Sequence, residues 1–407
     1  MPTIGLIVPT SSYRGPDFIA AADELGVDLV LVADASLGIT SGRILDVLIA
    51  DCSDTVAAAA ALVERAHLHP LDAVVGVDDA GVMIAALAAA QLGLAHNDPA
   101  SVAATRDKLE MRRLLGAEDI AQPKYIEYRE GDSAANNAES IGFPLVVKPV
   151  SLSGSRGVIR VDDLPELEEA VARIAVIQAE AGIAGERLLF EEYLEGPEIA
   201  VEGLLSAAGL EVLAIFDKPD PLDGPFFEET LYVTPSRHDA AVLENAVALL
   251  EEATGALGLA FGPIHAELRL TASGAKVVEI AARSIGGLCG RSLKFGMLAQ
   301  SLEVLLLRAA LGMNRRGMRP VGSASGAMMI PIPRDGILQG VRNREAVAEV
   351  PGVVEMTITT PIGRRIRTLP EGDRYLGFII ARGDDPAVVE ESLREANALL
   401  DIRIEPV

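Results

Sequence analysis

In the stretch Leu145-Val-Val-Lys-Pro-Val-Ser-Leu-Ser-Gly-Ser-Arg-Gly157 an apolar run delivers one cation, Lys148, into a loop of small residues. Ser151, Ser153, Gly154, Ser155 and Gly157 carry little side-chain bulk, so backbone N–H groups there can approach an anion closely. A lysine followed by an anion-sized loop suits a nucleoside triphosphate. An ordinary small-residue hairpin reads the same way, and no Gly-Lys-Ser/Thr follows as in a Walker loop. Lys108 adds a second cation earlier in the chain, where a solvated lysine at a helix start is the plain alternative. A second chemical signal is the pair Glu267 and Glu279, on either side of the polar turn Thr271-Ala-Ser-Gly274. Hairpin partners sit side by side, so both carboxylates can face one point and offer hard oxygen ligands to Mg²⁺. The apolar neighbours Ile264, Leu268, Val277, Val278 and Ile280 argue against a merely solvated hairpin. His265 shares the Glu267 strand face and reads either as a helper of the metal site or as a structural histidine. Arg283 leaves the same strand into Ser284-Ile-Gly-Gly287, where a guanidinium can contact a transferring phosphoryl group. Finally, Leu188-Leu-Phe-Glu-Glu-Tyr-Leu-Glu-Gly-Pro-Glu198 runs out of an apolar strand. Its backbone can meet an adenine edge and Glu198 a ribose, or it is an edge strand with solvated glutamates.

The elements that would position these groups follow from periodicity. The spacing predicts strands over Ile4–Val8, Leu29–Ala33 and Ala73–Val77, and helices over Asp17–Leu25, Val56–Ala66 and Gly81–Leu92. Apolar strands alternating with helices imply a parallel sheet covered on both faces. The first turn lacks Gly-x-Gly-x-x-Gly, so a Rossmann-like scaffold is expected and a dehydrogenase is not. Pro99–Leu115 reads as a helical linker. Strands are then expected over Lys124–Tyr128, Leu145–Lys148, Gly157–Val161 and Leu188–Glu192, with a helix over Pro165–Ala181. A further block, Ile199–Val278, includes the helix Ala240–Leu257 and the strands His265–Leu270 and Lys276–Ile280. The section from Ser325 is strand-rich, with runs Ala327–Ile332, Val353–Thr359 and Gly377–Ala381 before a helix over Ala387–Leu400. The expected class is α/β with α+β modules.

The 407 residues allow two to four such units. Half the chain is hydrophobic but only 4% is aromatic and Trp is absent, so Ala, Val, Leu and Ile must fill the cores. A formal charge of −24 argues against nucleic acid and anionic membranes as partners. Two cysteines, Cys52 and Cys289, make neither a disulfide framework nor a metal site and are expected to be small buried residues. There is no apolar run long enough to span a bilayer, and the chain starts directly as a strand without a charged leader region. A cytoplasmic protein is the expectation. The apolar Leu302–Leu311 helix serves either a core or a homodimer interface.

Taken in order, these features resemble the ATP-grasp superfamily over nearly the whole chain. The resemblance begins at Gly93-Leu-Ala-His-Asn-Asp-Pro-Ala-Ser-Val-Ala-Ala-Thr-Arg-Asp-Lys-Leu-Glu-Met-Arg112 and runs through the Lys148 strand, the small-residue loop and both glutamates. It implies units at 1–97 (Rossmann-like), 98–197 (linker and lid), 198–318 (large subdomain with the metal site) and 319–407 (strand-rich C-terminal subdomain). It implies that Lys108 and Lys148 bind ATP phosphates under a mobile loop, Ser153, Gly154, Ser155 and Gly157. Glu191 and Leu194 would meet adenine through their backbone, Glu198 would hold the ribose, and Glu267 and Glu279 would hold Mg²⁺, with Mn²⁺ an alternative. Arg283 and Lys148 would stabilise the acyl-phosphate region. Many members carry Asn where this chain has Ala281. The segment Glu279-Ile-Ala-Ala-Arg283, with Gly363-Arg-Arg and Tyr375-Leu-Gly-Phe-Ile-Ile-Ala-Arg-Gly383, is similar to the bacterial L-amino-acid ligase and carnosine-synthase-like branch. The Pro-rich stretch from Phe216 to Pro235 reads as a substrate-side loop, with Glu229 either meeting an amino group or purely structural. The implied activity joins a carboxylate to an amine, both small molecules of the amino-acid kind, through an acyl phosphate. Other activities on the same core (purine-biosynthetic or biotin-carboxylase-like) and a nucleotide-binding regulator without turnover are the alternatives.

Overall fold

The computed structural model describes residues 1–10, 12–313 and 323–406. Its first sheet is parallel, in the order β3-β2-β1-β4, from β1 (Thr3–Ile7), β2 (Asp28–Ala33), β3 (Ile44–Ile49) and β4 (Ala73–Gly76). β1 is buried at every residue, because helices cover both of its faces. On one side Ile7, Val30 and Val32 pack against α2 (Thr55–Ala66) and α3 (Asp79–Leu92). On the other, Ile4, Leu6 and Leu29 meet α1 (Gly15–Leu25) and the helix Leu302–Ala310. That last helix is therefore part of the chain's own core. The periodicity reading left out β3. It is an edge strand whose burial alternates, with Leu45, Val47 and Ile49 facing out, so it lacks the continuous apolar run of its neighbours. Both cysteines are buried and unpaired.

The expected linker helix is two helices, α4 (Pro99–Ala104) and α5 (Lys108–Ala117). The break comes at Asp107, whose carboxylate accepts from the Glu110 N–H and starts a new helix. A four-stranded antiparallel sheet follows, β5-β8-β6-β7, from β5 (Tyr125–Tyr128), β6 (Leu145–Pro149), β7 (Ile159–Val161) and β8 (Leu188–Glu192). It packs against α6 (Ala134–Ile141), missed in the sequence, and α7 (Leu164–Glu180).

The remaining strands are β9 (Glu198–Ser206), β10 (Gly209–Asp217), β11 (Leu231–Thr234), β12 (Gly262–Thr271), β13 (Gly274–Ala281), β14 (Ala324–Ile330), β15 (Gly336–Arg342), β16 (Val353–Ile358), β17 (Arg365–Ile366), β18 (Gly377–Gly383) and β19 (Asp401–Glu405). Eight of them form one antiparallel sheet, β13-β12-β9-β10-β11-β14-β18-β16, and the other three form β17-β15-β19. The expected division at 318/319 falls outside the described residues. Three contacts tie the small-residue side of the molecule to the C-terminal loop. The Arg173 guanidinium meets Glu371 at 2.5 and 2.9 Å, Arg367 meets Glu180 at 2.7 Å, and the Gly157 N–H donates to Pro370 O at 2.9 Å.

Candidate functional site

A cavity of about 420 Å³ opens where the three larger sheets converge. Lys108, Lys148, Ser153, Gly154, Ser155, Glu191, Leu194, Glu198, Glu229, His265, Glu267, Glu279 and Arg283 all line it. Thus nearly every residue singled out in the sequence reaches one place. Among the loop's small residues Ser151 and Gly157 do not line the cavity, and of these two Gly157 was the one expected over the phosphates. It sits against Pro149 and is tied to Pro370, so it anchors the loop rather than facing the cavity.

β6 carries Lys148 into the cavity wall, where its side chain is 5% exposed and its ammonium lies 2.5 Å from Glu191. Burial pulls the Lys148 pKa down, and the Glu191 charge only partly opposes this. The second Glu191 oxygen accepts from Arg112 Nε at 2.6 Å. The Glu191 side chain therefore belongs to a buried ion cluster, while its backbone lies between β5 and β6. Lys108 is the first residue of α5; its Nζ donates to Leu152 O at 2.7 Å and lies 3.4 Å from Glu279. The loop between β6 and β7 places Gly154 at φ 65° and Ser155 at φ 56°. A left-handed serine is uncommon, and Gly154 beside it takes the same conformation without a Cβ penalty.

The β12–β13 hairpin sets Glu267 directly opposite Glu279, and a bulge follows immediately. Both side chains are partly exposed to the cavity, 22% and 28%. Beside them lies a cation that sequence reasoning did not single out. Lys218, 3% exposed, contacts Glu198 at 2.6 Å, Glu267 at 3.2 Å and Glu229. Arg269, also unforeseen, pairs with Glu198 at 2.8 Å. Register explains both meetings. Arg269 is the β12 partner of Glu198, and Lys218 follows Asp217, the β10 partner of Ile199. Burial, reinforced by Glu267 and Glu198, raises the Glu229 pKa to about 7 against the pull of Lys218. Burial raises Glu267 too, but Lys218 and His265 outweigh it and hold that carboxylate well below its usual range. His265 Nδ1 lies 3.2 Å from Glu202, and burial lowers its pKa less than Glu202 and Glu267 raise it, to about 9. Glu198, Glu229 and Glu267 bring one carboxylate oxygen each within 4.8 Å of one another. Ala281 lines the same wall and adds no ligand atom.

Arg283 emerges from β13 and its Nε donates to Asp79 Oδ1 at 2.8 Å. Asp79 opens α3, beyond the C-terminal end of β4, and Asp78 caps that helix by accepting from the Gly81 N–H. Both aspartates line the cavity beside Ser12, Tyr13 and Arg14 of the β1–α1 turn. They lie where strand order reverses between β1 and β4, the place in an open parallel sheet where ligands bind. That rule was the available sequence signal for Asp78 and Asp79. Burial, with help from Asp79, raises the Asp78 pKa from 3.8 to about 6. Between those two values the folded chain holds a proton that the unfolded chain has lost, so stability falls as pH rises through this window. Asp78→Asn keeps the cap acceptor and removes the charge. The variant is expected to be more stable than the parent by about 3 kcal/mol at pH 8 and by no more than about 0.5 kcal/mol at pH 4, measured by urea unfolding at both. A stability difference that is the same at both pH values would show that Asp78 does not titrate in this range.

Residues 141–292 match the family model described as ATP-grasp domain, and residues 328–405 match that described as L-amino acid ligase C-terminal domain 2. The chain superposes over its whole length on 99% of an L-amino acid ligase from Bacillus licheniformis, with a TM-score of 0.83 and 25% identity. It is 30% identical to the D-alanine–D-alanine ligase of Xylella fastidiosa over 230 residues, which are 53% of this chain and 73% of that protein. It is 26% identical to the alanine–anticapsin ligase of Bacillus subtilis over 55% of this chain, and spans about half of that protein's length.

Proposed function

We propose, for a chain that belongs to the ATP-grasp superfamily of ATP-dependent enzymes, that it joins the carboxylate of one amino acid to the amine of another through an acyl phosphate. The observation carrying this reading is the convergence of Lys108, Lys148, Glu267, Glu279 and Arg283 on one cavity. The donor set fits Mg²⁺: two carboxylates at facing register positions, both open to the cavity. Glu267 and Glu279 would hold the ion, which would supply charge neutralisation at the transferring phosphoryl group.

In the first step a substrate carboxylate oxygen attacks the ATP γ-phosphorus and the bond to the β-phosphate bridging oxygen breaks, leaving ADP. Lys148 and Lys108 hold the phosphates, and the Ser153–Ser155 tip covers them. Arg283, fixed by Asp79, faces the acyl phosphate. In the second step an amine nitrogen attacks the acyl carbon and phosphate leaves. Such transfers depend on alignment and electrostatics more than on a strong base. The loop excludes water, which would otherwise hydrolyse the acyl phosphate. Leu194 borders the adenine end and Glu198 the ribose. Glu229 receives the α-amino group of the activated amino acid, and a substrate ammonium keeps that carboxylate ionised.

The test is ADP release from Mg²⁺–ATP across a panel of amino-acid pairs. ADP is expected only when an accepted amino acid is present. If ATP binds but no carboxylate and amine pair gives ADP, the ligase reading fails and a non-catalytic nucleotide-binding role takes its place.

A further inference from the structure

Resting on the amide-ligase reading, we propose that the activated substrate is an α-amino acid with a large apolar side chain. That side chain is seated in a pocket formed by Tyr13, Cys289, Met329, Tyr375 and Phe378. All five line the same cavity as the lysines and glutamates. Cys289, Met329 and Phe378 are 1%, 3% and 2% exposed and belong to the molecule's largest core, and Tyr13 and Tyr375 pack against it. Phe378 meets Tyr13 edge-on at 6.0 Å between centroids and Tyr375 at 6.4 Å. Gly287, at φ 59°, lets the Phe378 ring pack against its backbone and so fixes this wall, because a Cβ there would lie 2.5 Å from Phe378 Cζ.

The cations beside this pocket are already engaged. Arg14 donates to Ser284 Oγ, Ile285 O and Glu303 at 2.6, 3.0 and 2.7 Å, and Arg374 is held by Asp373 at 2.7 and 2.9 Å. An acidic substrate side chain would be buried here without a partner. Glu229 lines the same cavity. Its Oε2 accepts from the Tyr232 hydroxyl at 3.0 Å, and after burial its charge is the next cause raising the pKa of Cys289 and Tyr375. A three-point fit results: amino group at Glu229, carboxylate toward the lysines and Arg283, side chain among the aromatic rings.

Hydroxylamine as the amine isolates the carboxylate half of the reaction, because it captures the acyl phosphate as a hydroxamate with release of phosphate. With the full-length enzyme, Leu, Met and Phe are expected to give hydroxamate with kcat/KM about a hundredfold or more above Gly and Asp. Equal or better rates with Gly or Asp would overturn the pocket and leave the ligase reading intact. Hydroxamate and ADP formed from no amino acid would overturn both. Tyr13→Ala, in a half-buried turn, is expected to narrow the Leu-to-Gly ratio about tenfold. A purely structural role for Tyr13 would slow both substrates alike and leave that ratio unchanged, which would also overturn the pocket.

Discussion

Glu279→Gln is expected to lower ADP formation by about a hundred- to a thousandfold while changing stability by less than about 1 kcal/mol. The size follows from what the carboxylate would do. It would be one of two facing oxygen donors for Mg²⁺, and a neutral amide offers a weaker ligand and one charge fewer at the transferring phosphoryl group. That loss corresponds to about 3–4 kcal/mol of transition-state stabilisation. The small stability change follows from position. Glu279 is open to the cavity and its ion-pair neighbour, Lys108 at 3.4 Å, also donates to Leu152 O. Glu267→Gln would be a poorer probe. Glu267 also faces Lys218 at 3.2 Å and lies 3.8 Å from His265, so its loss combines folding and turnover effects. The measurement is ADP release at saturating Mg²⁺ beside urea unfolding. Near-parental turnover in the Gln variant would remove Glu279 from the metal site.

The second large effect is on folding. Lys218→Met is expected to destabilise the chain by about 3–5 kcal/mol, because removing one partner of a buried ion cluster leaves the others uncompensated. Here the partners are Glu198, Glu229 and Glu267. The Lys218 pKa shows the same balance: burial lowers it, yet the three carboxylates raise it well above its usual value. Arg269 still neutralises Glu198 in the variant and His265 still faces Glu267 at 3.8 Å, so the uncompensated charge centres on Glu229. Adding Glu229→Gln should therefore recover part of the loss, and a double-mutant cycle in urea measures how much. A Lys218→Met chain within about 1 kcal/mol of the parent would show that solvent, rather than this lysine, balances the carboxylates.

Much of the site was legible because its signals are local. A hairpin turn brings its two flanking strands side by side, so Glu267 and Glu279 could be placed on one hairpin from residues 262–281 alone; the turn's register continued would set Glu267 opposite Val278, and a bulge between Glu267 and Leu268 brings Glu279 there instead. Lys148 and its loop share one hairpin in the same way. The strand–helix rhythm of the first ninety-odd residues identified a covered parallel sheet, but β3 escaped because an edge strand is half solvent-exposed and has no continuous apolar run. The break between α4 and α5 escaped because one capping aspartate outweighs a continuous helical pattern.

By itself, then, the sequence determined which elements carry the two lysines proposed to hold phosphate and the two carboxylates proposed to hold Mg²⁺, and the family to which their order points. Tertiary structure alone decided what those groups lean on. Lys218 meets its carboxylates only because β9 lies between β12 and β10. Arg283, just after β13, reaches Asp79 at the start of α3, and Arg112 on α5 reaches Glu191 on β8. The apolar pocket draws its walls from the β1–α1 turn, the segment after β13, and the strands β14 and β18. Neighbour interactions along the chain specify strands and turns, whereas ion pairs and pockets between distant segments depend on sheet order, which the packing of whole layers settles.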